Sequence, residues 1–109
     1  MNLQILWTPI ALQSLSEVFE YTYEMFGEQQ LQKLSHKIID TTRRIAAFPL
    51  SGKLETNLFE ETGIEYRSTL VINEIKLLYT ISNNELFIEY VKNNRMDDAT
   101  VLERINRYY

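Results

Sequence analysis

The chain has 109 residues, 45% of them apolar, which suits a single domain built around one hydrophobic core. It has no cysteine, no N-terminal basic segment followed by an apolar run, and no apolar stretch of roughly 18 residues. Disulfides, thiolate zinc sites, a secretory leader and a membrane span are therefore not expected, and a reducing cytoplasm is the expected setting. The formal charge of −4 counts against a generic nucleic-acid binder, but the charge is unevenly spread: Glu17, Glu20, Glu24 and Glu28 form one group and Glu60, Glu61 and Glu65 another, leaving Arg67, Lys76, Lys92 and Arg95 to converge locally.

Residues 3–7 read as a first strand. Thr8 is a suitable N-cap and Pro9 a suitable first helical residue. Ala11, Leu15, Val18, Thr22 and Met25 then recur at helical spacing until Gly27. A second helix follows from Glu28, with Leu31, Leu34, Ile38, Thr41, Ile45 and Phe48 on one face, and Pro49 and Gly52 stop it. With only a glycine between them, the helices form a hairpin. Residues 53–63 read as a polar loop or short extended arm, and strands follow at about 64–72, 74–82 and 86–92. Asn73-Glu74 and Ser82-Asn83-Asn84-Glu85 supply the turns between them. Alternation puts Tyr66, Leu70, Ile72, Leu77, Tyr79, Ile88 and Tyr90 beneath the hairpin, and Arg67, Lys76, Glu89 and Val91 on the opposite face. Asp97-Asp98 can cap a last helix through Val101, Leu102 and Ile105. The expected architecture is α+β in two layers, with an N-terminal strand and a helical hairpin packed on one face of an antiparallel sheet.

Several short signatures stand in a fixed order: Leu6-Trp7-Thr8-Pro9, Phe48-Pro49 with Gly52, Tyr66-Arg67, Leu78-Tyr79-Thr80-Ile81, Ile88-Glu89-Tyr90-Val91 and Asn94-Arg95. In that order the chain resembles the RelE/ParE superfamily of bacterial toxins from type II toxin–antitoxin pairs, also known as plasmid stabilisation proteins. The resemblance spans roughly residues 3–96 of a single domain, 1–109. It implies a cytoplasmic protein that arrests growth, needs no cofactor or metal, and is neutralised by a cognate antitoxin with which it forms a hetero-oligomer. The Trp-Thr-Pro start, the Phe-Pro-x-x-Gly loop and the Asn-Arg ending are closer to ParE-like members, which act on DNA gyrase. The alternative is a RelE-like ribosome-dependent mRNA endoribonuclease.

For a nuclease, the resemblance carries arginines over to Arg67 and Arg95, whose planar guanidinium groups would hold two phosphate oxygens at once. Lys76 joins them as a third cation by its face alone, and Glu89 or Lys76 would serve as the base. Family nucleases often carry a histidine where this chain has Asn93 or Asn94. The sole histidine, His36, sits on the second helix at a solvent-facing position. Some relatives use a C-terminal tyrosine, but the register of Tyr108 and Tyr109 is not fixed by the sequence. Plainer readings stand beside these: Arg67 paired with Glu65 or Glu89, Arg95 paired with Asp97 and Asp98, Trp7, Tyr79 and Tyr90 in or at the core, and Tyr21 and Tyr23 marking a partner surface. A non-toxic binding module on the same fold is the reading from a different class, and the acidic pI and the missing histidine favour it.

Overall fold

The structure, a computed structural model, describes residues 2–93 and 95–107. A short strand β1 (Gln4–Trp7) leads into helix α1 (Pro9–Phe26). The Thr8 hydroxyl accepts the Ala11 amide at 3.1 Å, and Pro9 takes the first helical position, where a missing N–H costs nothing. Gly27, at φ 87°, ends α1 and lets α2 (Glu28–Ala47) begin at once, so the helices fold into a hairpin. The chain continues through β2 (Lys53–Leu54), α3 (Thr56–Thr62), β3 (Arg67–Ile72), β4 (Ile75–Ser82), β5 (Glu85–Asn93) and α4 (Asp98–Asn106). Asn83 and Asn84, at φ 52° and 65°, form the tight β4–β5 turn, whose positive dihedrals match the twist of the strands it joins.

The five strands lie in the order β1-β5-β4-β3-β2. Neighbours from β2 to β5 run antiparallel, and β1 joins β5 in parallel. On one face Leu77 lies opposite Val91, Tyr79 opposite Ile88 and Ile81 opposite Leu86. Leu77, Tyr79, Leu86, Ile88 and Val91 pack with Ala11 of α1 and Ile45 of α2 into the core beneath the hairpin. On the other face Leu78 lies opposite Tyr90, and both pack with Tyr66, with Leu58 of α3, and with Val101, Leu102 and Ile105 of α4. The sheet therefore separates two cores, with α3 and α4 covering part of the second face.

That second core explains where the alternation misleads. β4 steps directly from Leu78 to Tyr79, whereas β5 inserts Glu89 between their partners Tyr90 and Ile88. One extra residue inverts every face beyond it. Tyr90, expected beneath the hairpin, faces α4 instead, and Val91, expected on the far side, enters the hairpin core. The Val91 amide is satisfied by Ser14, whose hydroxyl accepts it at 2.8 Å and donates to the Ala11 carbonyl at 2.8 Å. In β3 the faces are also reversed as far as Leu70: Arg67 lies opposite Tyr79 and Thr69 opposite Leu77 on the hairpin side, while Tyr66 is buried in the far core. A register shift then returns Ile72, opposite Ile75, to the hairpin side. With a core on each side, apolar residues on both faces of β3 carry no preference for the hairpin. Residues 53–63 begin as a short extended arm, β2, and then form α3, which the sequence did not announce, because Leu58, 1% exposed, has that second core to enter.

Pro49, Gly52 and Tyr79 prove to be one unit. The Tyr79 hydroxyl donates to the Pro49 carbonyl at 2.8 Å and accepts the Gly52 amide at 3.0 Å. Arg67 adds a third tie, donating from Nη1 to the Gly52 carbonyl at 2.9 Å.

Candidate functional site: a lysine-lined cleft

The face of the sheet away from the hairpin holds a small polar cleft of about 100 Å3 between β2, β3, β4, β5 and the start of α4. Cross-strand register builds it. Lys76 lies directly opposite Lys92, and Lys53 opposite Ser68. Like charges placed opposite each other repel, so such a pair persists where anionic groups compensate it. Lys92 Nζ pairs with Asp98 Oδ1 at 2.9 Å, and the Ser68 hydroxyl donates to Glu55 Oε1 at 2.5 Å. Lys76 is half-buried and forms no ion pair among the described residues. The cleft therefore carries three ammonium groups, Lys53, Lys76 and Lys92, against two carboxylates, Glu55 and Asp98. That combination of point charges with a hydrogen-bonded carboxylate suits a phosphate ester: cations for its oxygens and a base for a neighbouring hydroxyl.

A larger groove of about 570 Å3 lies between the hairpin and the β3–β4 turn. Val18, Tyr21, Phe26, Leu34, Ile72 and Ile75 give it an apolar lining, and Glu17, Glu74 and Arg95 are its charged residues. Tyr21 and Phe26 meet edge to face at 6.3 Å and are 46% and 62% exposed, an apolar surface left open to water. A third cavity, of about 300 Å3, joins α1 to α4. At its wall Arg104 donates to the Tyr90 hydroxyl at 2.9 Å and pairs with Glu17 at 3.2 Å. Burial pushes the Tyr90 hydroxyl above the usual phenol range, and the bond to Tyr90 pushes the Arg104 guanidinium up.

The residues singled out in the sequence do not share one site. Lys76 lines the cleft. Arg67 lies on the hairpin side, bound to the backbone carbonyls of Gly52 and Leu50 rather than to Glu65 or Glu89. Arg95 borders the groove and pairs with Glu74 at 3.6 Å, not with Asp97 or Asp98. Glu89 is the bulge residue, half-buried, and burial pushes its carboxyl up. His36 is exposed on α2. Asn94, Tyr108 and Tyr109 lie outside the described residues. Lys53, Glu55, Ser68 and Asp98 were missed as site residues. The available signal was Lys53-x-Glu55, a spacing that places a cation and a carboxylate on one side of an extended segment.

A helical hairpin over a sheet of this topology is an α+β fold found in solved toxin–antitoxin structures. The chain is similar to a chain of the chromosomal ParDE TA system from P. aeruginosa, with a TM-score of 0.66 and 15% identity over 84% of this chain and 96% of that one. It is also similar to a chain of the YoeB-YefM complex from Staphylococcus aureus, with a TM-score of 0.52 and 28% identity over 84% of this chain and 97% of that one. No protein-family model matches the chain, and no curated protein matches it by sequence.

Proposed function

We propose that this chain is the toxin of a toxin–antitoxin pair and that its lysine cleft cleaves RNA. The observation that carries the nuclease reading is the convergence of Lys53, Lys76 and Lys92 with Glu55 in one phosphate-sized cleft. The likeness to two toxin–antitoxin structures supports the toxin role. In this scheme Glu55 takes the proton of a ribose 2′-hydroxyl, whose oxygen attacks the adjacent phosphorus. The lysine ammonium groups stabilise the charge gathering on the phosphoryl oxygens, and one of them protonates the departing 5′-oxygen. The products are a 2′,3′-cyclic phosphate and a 5′-hydroxyl.

A second reading, growth arrest through DNA gyrase, is favoured by the position of the arginines. Arg67 is bound to a loop backbone and Arg95 borders a different groove, so neither guanidinium lines the cleft. Pulse labelling of DNA and protein synthesis after induction of the chain alone, beside a Lys53→Ala/Lys76→Ala variant, separates the two. An early fall in protein synthesis that the variant abolishes supports the ribonuclease. An early fall in DNA synthesis replaces it with the gyrase reading. If neither changes while the protein is folded, the chain is a non-toxic binding module.

The cognate antitoxin fits the apolar groove beside α1. The carboxylates of Glu17 and Glu74 there, with the acidic row on α1, suit a segment that is apolar on one side and basic in part. Beyond Ser68, β3 pairs with no strand on its outer side among the described residues, so an extended segment has an edge to join. Tyr21→Ala/Phe26→Ala should release the cognate antitoxin. Capture of an acidic segment by Arg67 and Arg95 would overturn this placement.

A further inference from the structure

We propose that Asp98 is an internal anion that occupies the lysine cleft and must give way before a target phosphate can pair with Lys92; this rests on the reading of the cleft as a phosphodiester site. The Asp98 carboxylate reaches Lys92 Nζ at 2.9 Å, with the two side chains 21% and 35% exposed. It comes from α4, not from the strands that carry the lysines. Asp97 caps that helix, accepting the Thr100 amide at 2.8 Å, so Asp98 is its first residue and its backbone position is set. Val101, Leu102 and Ile105 then press α4 against Leu78 and Tyr90, directly beside the cleft. The bond from Arg104 to the Tyr90 hydroxyl secures the far end of the helix.

The charge arithmetic shows what this position does. With both carboxylates present the cleft holds three positive and two negative groups, a net +1. Without Asp98 the same lining holds a net +2. A phosphate group entering the cleft therefore competes with Asp98 for Lys92, while Lys76, which has no ion pair among the described residues, is available to it throughout. α4 acts as a strap whose first residue holds the cleft at half its cationic strength, and any partner that draws α4 outward doubles that strength.

The test measures binding of a short fluorescein-labelled deoxythymidine strand, a polyanion whose missing 2′-hydroxyl prevents cleavage. Asp98→Asn should bind it about fivefold more tightly than the unaltered chain. The salt dependence should steepen by about 0.7 in slope, the increment for one more neutralised phosphate on a single strand. Asp98→Glu, which keeps the charge, should show no gain, and Lys92→Ala/Asp98→Asn should lose it. Asp98→Ser serves as the neutral variant if the amide destabilises the start of α4. A gain in Asp98→Glu as large as in Asp98→Asn would mean that loosening α4, not removing the carboxylate, opens the cleft, and would overturn the proposal. If Lys76→Ala weakens binding but neither neutral variant at position 98 strengthens it, the Asp98 proposal falls alone. If Lys76→Ala binds as well as the unaltered chain, the phosphodiester reading of the cleft falls with it.

Discussion

Gly52→Ala is the substitution whose cost can be worked out most directly. A Cβ at position 52 would lie 2.3 Å from the Tyr79 hydroxyl, 2.8 Å from Cε1 and 2.9 Å from Cζ, whereas ordinary contact begins at 3.4 Å. The hydroxyl would have to retreat by about 1.1 Å (3.4 − 2.3). Tyr79 is 0% exposed and hemmed in by Ile45, Leu77, Ile88 and Val91, so the ring has no empty space to enter. Overpacking of this kind costs about 1–3 kcal/mol. The retreat also strains the bonds to Pro49 and Gly52, each worth about 1 kcal/mol. The expected loss is about 3 kcal/mol, a large share of the roughly 5–15 kcal/mol that holds a domain of this size. It corresponds to about 13 °C in Tm, measured by thermal and urea unfolding followed by circular dichroism. Gly27→Ala is the contrast: its φ of 87° is positive, whereas that of Gly52 is not, and a Cβ there meets nothing within 4 Å. Its loss should come from backbone strain alone, about 1–3 kcal/mol at φ 87° and ψ −178°, and should be unaffected by Tyr79→Phe. If Gly52→Ala costs less than about 1 kcal/mol, below the range for overpacking, the idea that Gly52 exists to admit Tyr79 is wrong.

Ser14→Ala strips the Val91 amide of its acceptor in a buried setting and should cost about 1–3 kcal/mol in urea unfolding; a loss below half of that would mean water replaces the hydroxyl. Glu89→Gln should stabilise the fold at neutral pH. Burial raises the folded-state value above the ordinary 4.5, so the unfolded chain ionises first and stability falls as pH rises toward the folded value. The advantage of the amide should vanish below pH 4.5, and an equal advantage at all pH values would contradict this account. Burial likewise pushes Tyr79 and Tyr90 above 10.0, so the folded chain keeps protons that the unfolded chain releases. Stability should therefore decline from pH 10 upward through the folded values. Difference spectra of Tyr79→Phe and Tyr90→Phe in the tyrosinate band should show ionisation only above that point.

Local chemistry made the element boundaries legible. Thr8-Pro9 marks the start of α1, Gly27 its end and Asn83-Asn84 the β4–β5 turn, because each acts through its own backbone. Faces were less legible, because they depend on partners. A single unpaired residue, Glu89, separates Tyr90 and Val91 from their expected sides, and nothing in the alternation of β5 announces it. The short α3 was hidden for a related reason: Leu58 and Phe59 are a lone apolar pair in a polar stretch until α4 and β4 supply a pocket for Leu58. The cleft depends on register in the same way. Lys53 and Ser68 are neighbours only because β2 pairs with β3, and Lys92 meets Asp98 only because α4 returns across β5. Arg67 shows the converse, since its sequence neighbours describe an exposed strand cation while its contacts make it a brace for the Leu50–Gly52 backbone.

The parallel pairing of β1 with β5 also sets the order in which the chain can become whole. Trp7 lies opposite Ile88, a separation of 81 residues (88 − 7). Closing a loop of that length costs about 4 kcal/mol of chain entropy beyond the constant term, whereas the β4–β5 turn closes over two residues, Asn83 and Asn84. β1 leaves the ribosome well before the strand it pairs with and is thus among the last to find its place. At about 5–20 residues per second of synthesis, β1 waits roughly 4–16 s for its partner to be made. Until then the sheet lacks its β1 edge and the hairpin core lacks Ile5 and Trp7, which pack against it. The nascent domain is therefore incomplete until β5 is made, an interval in which a binding protein already present can meet it before it is finished.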